Sequence, residues 1–311
     1  MTKSFFHNPH ILGRITGKTN RPVSLLSQLC HLIAFELKRP KMHLENGILI
    51  ISIDVDVGNR KLGLINKGKN DANVNRHISE YSIGKIEEQA LPLFTDLFND
   101  LEIPVTFAIR GQLTEVDGSL LKLLLKSSIK HDVGAHGYYH RQFKNLSHSE
   151  AENELKLIST GMKKFGIIPK SFVFPVNSIA HLDMLEKHGY ECYRGYGDFM
   201  NDCMYIEKCG KLWNIHPSLY IDQHTKFTFL KEILDISTAK KLPFHIWFHL
   251  WNFGETRNSI ERNVNKLFLP LLKYAKKKEE MALLTFETML SAAEKCMYQI
   301  AEPNTNRHLT P

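Results

Sequence analysis

The sequence predicts an α/β fold, a distorted (β/α) barrel of about seven parallel strands. Strand-like apolar runs alternate with helical patterns from Gly47 to about residue 298, which is typical of parallel βαβ units. The first run, 48–53, is apolar except for Ser52, as expected of a strand that is buried on both faces. Hydrophobic residues make up 43% of the chain and charged residues 23%, so the composition allows one large core.

The predicted elements follow one another in a regular order. Strands are predicted over residues 48–53, 105–109, 132–135, 171–174, 191–194, 212–215, 244–249 and 282–286. Helices are predicted over residues 83–101, 120–128, 147–165, 179–188, 229–240 and 259–278, and from the last strand to about 298. The helix at 147 opens with the capping box Ser147-x-x-Glu150.

The pattern divides the chain into three parts. We predict one catalytic barrel domain over residues 47–300, a partly helical N-terminal extension over 1–46 and a loose tail over 301–311. Within the extension, apolar residues recur at helical spacing from Ser24 to Lys38. This helix is expected to pack against the barrel, and a basic amphipathic helix in peripheral contact with a membrane surface is the alternative interpretation.

Composition and charge argue against several classes of protein. No run approaches the ~18 apolar residues of a membrane helix, and His7, His10 and Arg14 interrupt any signal-peptide core. Five cysteines without a C-x-x-C predict neither a disulfide framework nor a zinc–thiolate site. The net charge is +7, but the basic residues are dispersed, so we predict no nucleic-acid binding. A cytoplasmic protein is expected, and the sequence leaves its oligomeric state open.

A first candidate site follows the first strand directly. Asp54 and Asp56 are two residues apart, so on an extended chain both carboxylates point to the same side. In α/β barrels the chemistry takes place at the carboxyl ends of the strands. Two adjacent carboxylates are costly to ionise together unless a cation lies between them. An Asp-rich turn is the structural alternative for this pair.

A second candidate site is His136-x-x-x-His140, directly after another predicted strand. Histidines four apart share a helix face and can bind one metal ion through their imidazole nitrogens. Sixteen histidines give about one such pair by chance, and the sequence contains two, the other being His245 and His249. The first pair gains weight from the two aspartates, since two histidines and a carboxylate with open positions form a catalytic metal set.

The strand predicted over 244–249 runs into a cluster of aromatic residues. On a strand, His245, Trp247, His249 and Trp251 share one face, and the opposite face is apolar. The apolar face should pack under helices, so the histidines and tryptophans are expected to face the barrel interior. We interpret His245 as a core histidine and Trp247 as a residue that fills the barrel. His249, nearest the end of the strand, is the candidate for chemistry.

The order of these motifs resembles the polysaccharide deacetylase family (NodB homology, carbohydrate esterase family four). A strand with Asp-x-Asp, a strand with His-x-x-x-His, a Phe/Pro segment at 171–175 and a late strand ending in histidine follow in the family's order over residues 47–290. The phrase 103–107 resembles the family's second strand. The phrases 171–175 and 192–195 resemble a subgroup of deacetylases found among glycan-biosynthesis proteins.

The resemblance implies a NodB-like fold and a metal-dependent carbohydrate N-deacetylase, a hydrolase of linear amide bonds whose substrate is an N-acetylated sugar or glycan. Asp54 would be the general base and His249 the general acid. A divalent metal, zinc first and cobalt, nickel or iron as alternatives, would be bound by Asp56, His136 and His140. The residues expected to contact the substrate are Tyr139, Pro175, Asn177 and Trp251.

The third motif departs from the family pattern. Family members usually carry an arginine in the third motif that orients the catalytic base, whereas this chain has Val173 and Val176 there. Arg194 and Arg110 are the candidates to replace it in space. The departure keeps open a weak or inactive glycan-binding protein on the same fold, and a related hydrolase of small amides. A glycosyltransferase using the Asp-x-Asp ranks below both because it leaves the histidines without a role. Whether the sugar is polymeric, lipid-linked or a small precursor is also open.

Overall fold

The computed structural model describes residues 32–33, 35–37, 44–56, 89–116, 118–195 and 204–301. Ten strands occur in these residues. They are β1 Gly47–Val55, β2 Thr106–Ile109, β3 Asp132–Ala135, β4 Ser171–Val173, β5 Cys192–Arg194, β6 Ile206–Cys209, β7 Leu212–Ile215, β8 Leu219–Tyr220, β9 Pro243–His249 and β10 Leu284–Glu287.

The strands form one curled sheet, a half-barrel, which confirms the predicted fold class. Their order is β6-β7-β5-β4-β3-β2-β1-β9-β8, and β10 pairs with the first half of β1. Every ladder is parallel except that between β6 and β7. The carboxyl ends of the parallel strands therefore meet at one edge of the sheet.

Among the described residues, eight helices lie between these strands and a ninth follows the last strand. They are α1 Leu91–Asp100, α2 Leu113–Val116, α3 Ser119–Leu125, α4 His148–Lys163, α5 Leu182–Lys187, α6 Phe227–Lys240, α7 Arg257–Asn263, α8 Leu269–Glu280 and α9 Met289–Ala301. Short 3₁₀ turns lie at Phe143–Asn145, Pro175–Asn177 and Leu250–Phe253, and a π-helical segment, Val264–Phe268, joins α7 to α8.

The two faces of β1 explain how the half-barrel is filled. Leu49, Ile51 and Ile53 belong to the main core, which contains the buried faces of the surrounding helices. Ile48 and Ile50 face the other way, into a smaller cluster with Met289 and other residues of α9. Because side chains alternate along a strand, the later residues on this inner face are Ser52, Asp54 and Asp56. The interior is therefore apolar near α9 and polar at the carboxyl edge.

Most predicted elements are present, and the differences have local causes. The strands β6 and β8 were not predicted, since β6 contains Glu207 and Lys208 and β8 has only two residues. The single helix predicted over 259–278 is interrupted by the π-helical segment, just before Pro270. Proline has no N–H to donate and its ring displaces the carbonyl four residues earlier, which accounts for the change of helical type.

The predicted N-terminal helix over 24–38 lies largely outside the described residues, as does the tail after residue 301. Residues 32–33 and 35–37 are helical, and the Phe35 ring is buried in the main core. The three cysteines within the described residues, Cys192, Cys209 and Cys296, are free thiols. Across the part of the chain that the structure describes, no helix is both long and apolar enough to span a bilayer.

The capping box predicted at the start of α4 is confirmed. The Ser147 side chain accepts from the backbone N–H of Glu150, and the Glu150 carboxylate accepts from the backbone N–H of Ser147. We expect Ser147→Ala to lower the free energy of unfolding by about 1 kcal/mol, because an orphan N–H at the helix start loses its acceptor. Urea unfolding measures this. Ser159→Ala, the same exposed substitution within the helix, should cause no loss; equal losses in the two variants would contradict the cap.

Candidate functional site

The carboxyl edge of the half-barrel collects the predicted site residues from several strands. Asp54 and Asp56 lie at the end of β1, and His249 ends β9, which pairs with β1 so that Asp54 and His249 are register partners. His136 follows β3, two strands from β1 on its other side. The Nε2 atoms of His136 and His249 lie 3.9 Å and 3.7 Å from Asp54 Oδ2.

Asp54 is held by a buried arginine. Its carboxylate accepts from Arg194 Nη1 at 2.8 Å and from Nη2 at 2.7 Å, so both oxygens are bound by one guanidinium. Arg194 Nη1 also donates to Ser52 Oγ at 2.9 Å, and its guanidinium lies 4.3 Å from the centre of the Trp247 ring. Both partners are almost fully buried, Arg194 being 1% and Asp54 2% exposed. This bidentate pair fixes both the position and the direction of the carboxylate.

The strand pairing explains how an arginine reaches Asp54 although the third motif lacks one. Val173 on β4 and Arg194 on β5 are register partners in the parallel ladder. The guanidinium is therefore supplied from the neighbouring strand at the same level of the sheet. Of the two candidates named from the sequence, Arg194 contacts Asp54, and Arg110 contacts Asp56.

Asp56 is also paired with cationic and imidazole groups. Its Oδ1 accepts from Arg110 Nη1 at 3.2 Å, and its Oδ2 lies 3.3 Å from His140 Nε2. Arg110 is anchored in turn by a hydrogen bond to the Gln112 side chain. Burial raises the pKa of Asp56, but His140 and Arg110 lower it more, so its pKa lies well below the usual range. Asp56 is therefore ionised at neutral pH.

The histidine pair meets in space, but not on a helix. Gly137 has φ +66° and His140 has φ +59°, so His136–His140 is a loop containing two left-handed residues. The expectation that the spacing of four places both rings on a helix face is therefore wrong. The loop still brings the rings together, with centroids 4.8 Å apart. A side chain at Gly137 would meet the Pro175 ring, since a Cβ there would lie 2.7 Å from Pro175 Cγ.

The tautomer of His136 follows from its hydrogen bond. His136 Nδ1 lies 2.9 Å from the carbonyl oxygen of Val173, which can only accept, so Nδ1 carries the donated proton. In the neutral ring the lone pair is then on Nε2, which is buried and has no hydrogen-bond partner. Burial lowers the pKa of His140 to about 4, so the His140 ring is neutral at pH 7. Two imidazoles are thus available as ligands.

His249 is set among aromatic rings. Its ring stacks on Trp251 with centroids 4.1 Å apart and an interplanar angle of 27°, and its backbone N–H donates to Asn252 Oδ1. Burial lowers the pKa of His249, although Asp54 and Asp56 raise it. By contrast, His245 is a core histidine, as predicted, because it is buried with its Nε2 2.8 Å from Ser52 Oγ.

The other residues expected to contact a substrate lie around this edge. Pro175 and Asn177 form the turn directly after β4, and the buried Asn177 Oδ1 has no hydrogen-bond partner. Trp251 lies in the 3₁₀ turn after β9, with its ring against His249. The Tyr139 ring contacts Tyr138 and the Arg141 guanidinium, on the histidine loop. These contacts do not test a role in substrate binding, which stays a prediction.

A divalent metal can be tested against this donor set. Ligands at 2.0–2.1 Å from a tetrahedral ion lie about 3.3 Å apart, and His140 Nε2 and Asp56 Oδ2 are separated by 3.3 Å. The unpartnered His136 Nε2 supplies a third donor of the right type, fixed by a carbonyl as metal-bound histidines commonly are. Within the described residues, however, no group of three or more His, Cys, Asp or Glu side chains is arranged to hold an ion. The donors fit in type and direction, and binding would have to draw them together.

The Asp54–Arg194 pair predicts a pH dependence of stability. Burial raises the pKa of Asp54, but Arg194, His136 and His249 outweigh it and lower the pKa to about 2, from 3.8. A lowered pKa stabilises the folded state above pH 3.8, and this stabilisation, about 2 kcal/mol, is lost as the pH falls through 2. Urea unfolding from pH 6 to 2 should show it. The double variant Asp54→Asn/Arg194→Met should lose less unfolding free energy over this pH range. Parallel plots of unfolding free energy against pH for the wild type and the double variant would contradict the pairing.

Sequence reasoning missed one residue of this region, Glu154. It lies on α4 and is fully buried, yet its carboxylate accepts from the backbone N–H groups of Tyr138 and Tyr139. A signal was present, because Glu154 stands on the apolar stripe of Ala151, Leu155 and Ile158. A carboxylate in such a position needs partners, and here they are in the histidine loop.

Residues 81–193 match the family model described as polysaccharide deacetylase. This part of the chain belongs to the polysaccharide deacetylase family. The deacetylase segment contains His136 and His140 and ends one residue before Arg194. Asp54, Asp56 and His249 lie outside it, and the sheet brings them next to it. No curated protein sequence matches the chain significantly.

Solved structures share the deacetylase fold along most of the chain. A Mycobacterium smegmatis protein assigned to the polysaccharide deacetylases is 14% identical and has a TM-score of 0.63, over 88% of this chain and 98% of its own. The Puue allantoinase is 16% identical with a TM-score of 0.60, over 85% and 95%. A Pseudomonas aeruginosa PAO1 protein, also assigned to the polysaccharide deacetylases, is 13% identical with a TM-score of 0.58, over 79% and 89%. At such identities the similarity is one of fold.

Proposed function

We propose that this chain is a metal-dependent hydrolase that removes N-acetyl groups from an amino sugar or polysaccharide, or from a precursor of one. The observation that carries the proposal is that Arg194 donates hydrogen bonds to both carboxylate oxygens of Asp54, beside the histidine loop. It supplies the arginine that orients the Asp54 carboxylate, and the lack of that arginine in the third motif had kept an inactive protein open as an alternative. The family of residues 81–193 supports the same reaction class.

The proposed metal ligands are Asp56, His136 and His140. When bound, a divalent ion would lower the pKa of a water molecule and polarise the amide carbonyl. Zinc suits two histidines and one carboxylate, and cobalt, nickel or iron are alternatives. Arg110, by donating to Asp56 Oδ1, leaves Oδ2 directed towards His140. Arg110 would thus keep one oxygen of the ligand carboxylate turned into the site.

Asp54 and His249 are the proposed acid–base pair. Asp54 is ionised at neutral pH and accepts the proton of the attacking water on Oδ2, the oxygen that also faces His249. Arg194 keeps the carboxylate from turning away as it does so. His249 Nε2 lies 3.7 Å from Asp54 Oδ2. An amide bond next to Asp54 would therefore also be within reach of His249, which would donate a proton to the departing amine. An amine needs that proton because it does not leave as an anion.

The proposed contacts with the substrate come from aromatic and polar residues around the site. The indole of Trp251, backed by the His249 ring, offers a flat apolar face of the kind that stacks on sugars. Pro175, Asn177 and Tyr139 would line the rest of the groove. An intracellular glycan precursor is the proposed substrate class, and detection of the protein outside the cytoplasm in a fractionation would count against it.

A related hydrolase of small amides is the second candidate. One solved structure of the same fold is named an allantoinase. The same carboxylate, imidazoles and arginines can act on any amide, since none of these contacts reads a sugar ring. A substrate panel that contains N-acetylhexosamines, their short oligomers and small cyclic and linear amides distinguishes the two.

The test combines metal content with product release. Purified wild-type protein is expected to bind about one equivalent of divalent metal and to release acetate from an N-acetylated sugar. Release of product only from the small amides would favour the second candidate. Metal binding with no turnover of any substrate would indicate a glycan-binding protein, and a wild-type protein that binds no metal would overturn the site assignment.

A further inference from the structure

We propose that Glu154 is a positioning residue that holds the loop between His136 and His140 in the conformation metal binding requires. The inference rests on the proposed function, because it concerns the ligands of the proposed metal site. Glu154 is on α4, outside the ligand set and outside the acid–base pair, and its side chain is 0% exposed. A buried carboxylate is retained in a fold only where its charge and both its oxygens are satisfied.

All the described side-chain hydrogen bonds of Glu154 go to this loop and to the residue after it. Oε2 accepts from the backbone N–H of Tyr138 at 2.7 Å and from that of Tyr139 at 2.9 Å. Oε1 accepts from Arg141 Nε at 2.7 Å. Tyr138 is buried, so without this carboxylate its N–H would have no acceptor within the protein or from solvent.

The other side of the loop is held by the segment after β2. The carbonyls of Gly137 and Tyr138 accept from the N–H groups of Gly111 and Gln112, at 2.8 Å and 3.3 Å. Gly111 also has no room for a side chain, because a Cβ there would lie 2.7 Å from the Tyr138 ring. The loop is therefore clamped between the end of β2 and α4, and on the α4 side its two N–H groups are bound by the Glu154 carboxylate.

The clamp matters because of the backbone conformation it maintains. His140 has φ +59°, a left-handed conformation that a non-glycine residue keeps only when its surroundings over-determine it. The direction of the His140 ring towards Asp56 follows from that conformation. If the N–H groups of Tyr138 and Tyr139 lose their acceptor, the loop can relax and turn His140 away from His136 and Asp56. The expected consequence is weaker metal binding, not loss of the fold.

The experiment measures the dissociation constant of Co²⁺ for the metal-free full chain, by absorption titration. Glu154→Ala is expected to weaken binding by about 10–100-fold, the range found when groups that orient metal ligands are removed. Glu154→Gln should be intermediate, because its amide oxygen can accept both N–H groups while its NH₂ faces Arg141 Nε. Arg141→Gln alone removes the ion pairs of this partly exposed arginine with Glu154 and Glu150, but its NH₂ can still donate to Glu154 Oε1. It should therefore change the constant by about two-fold or less.

The decisive variant is the double substitution Glu154→Gln/Arg141→Gln. It removes the Arg141 guanidinium that faces the new NH₂ group at position 154, and it keeps the amide oxygen that accepts from the two N–H groups. The double variant should therefore bind Co²⁺ more tightly than Glu154→Gln and with the wild-type absorption spectrum. Rescue of this kind is not expected if Glu154 only stabilises the fold. Wild-type affinity in Glu154→Ala, or no rescue in the double variant, would overturn the proposal. If Glu154→Ala does not fold, the Gln variants alone give the answer.

A second readout separates this proposal from the proposed function. Amide hydrogen exchange at Tyr138 and Tyr139 in the metal-free protein should be about ten-fold faster or more in Glu154→Ala, if the two N–H groups lose their acceptor. Wild-type protein that binds no Co²⁺ would overturn the metal site, and the exchange rates would still decide the clamp. Unchanged exchange would overturn the clamp even where metal binds.

Discussion

Asp54→Asn is expected to lower the rate of acetate release by about 10²–10⁴-fold while the protein still binds metal. An amide has no useful affinity for a proton, so the attacking water would lose its base. The ligands Asp56, His136 and His140 are unchanged in this variant, and metal content should therefore stay near that of the wild type. Initial rates of acetate release, with metal content measured on the same samples, check both statements.

The matched control for this substitution is Asp132→Asn. Asp132 is also a buried aspartate of the sheet, but it lies at the amino end of β3, where it accepts from Thr106 Oγ1. Burial raises the pKa of Asp132 to about 6, so the neutral amide resembles a form that this carboxyl group readily adopts. Acetate release should survive Asp132→Asn. Equal rates for Asp54→Asn and the wild type would exclude Asp54 as the base.

Arg194→Met is expected to lower the free energy of unfolding of the metal-free protein by about 3–5 kcal/mol, the cost of leaving one member of a buried ion pair without its partner. Asp54 is 2% exposed and would lose the guanidinium that binds both its oxygens. Ser52 would lose a donor at the same time. Urea unfolding of the metal-free protein at pH 7 gives the number.

A double-mutant cycle separates the interaction energy of the Asp54–Arg194 pair from the packing around Trp247 that is lost in Arg194→Met. Asp54→Asn/Arg194→Met removes both charges and should be more stable than Arg194→Met alone, because no buried charge is left unpaired. Arg257→Met serves as the control, because Arg257 forms an exposed ion pair with Glu261, four residues later on α7. Loss of this pair should lower the free energy of unfolding by only about 0.3–0.5 kcal/mol. A double variant no more stable than Arg194→Met would contradict the proposed coupling.

Particular residues show how far the sequence alone could predict the site. Asp54 and Asp56 could be placed at one edge of the sheet because a buried strand ends where they begin, and their position on one face follows from a period of two. The capping box at Ser147 could be assigned because its partners are three residues apart. The rings of His136 and His140 do lie together, but the helix geometry assumed for them was wrong, since Gly137 permits a left-handed turn that the spacing does not reveal.

Three features could be predicted from the sequence: the α/β class, the strand ends that carry polar residues and the family of residues 81–193. The class and the strand ends follow from patterns within about ten residues, where alternation acts, and the family follows from the order of short motifs along the chain. Two features became visible only in the folded chain: which arginine binds which aspartate, and the hydrogen bonds from the histidine loop to Glu154. Arg194 and Asp54 are 140 residues apart, and their contact depends on the order and register of strands in the sheet. No local pattern encodes that register, because it results from packing of the whole core.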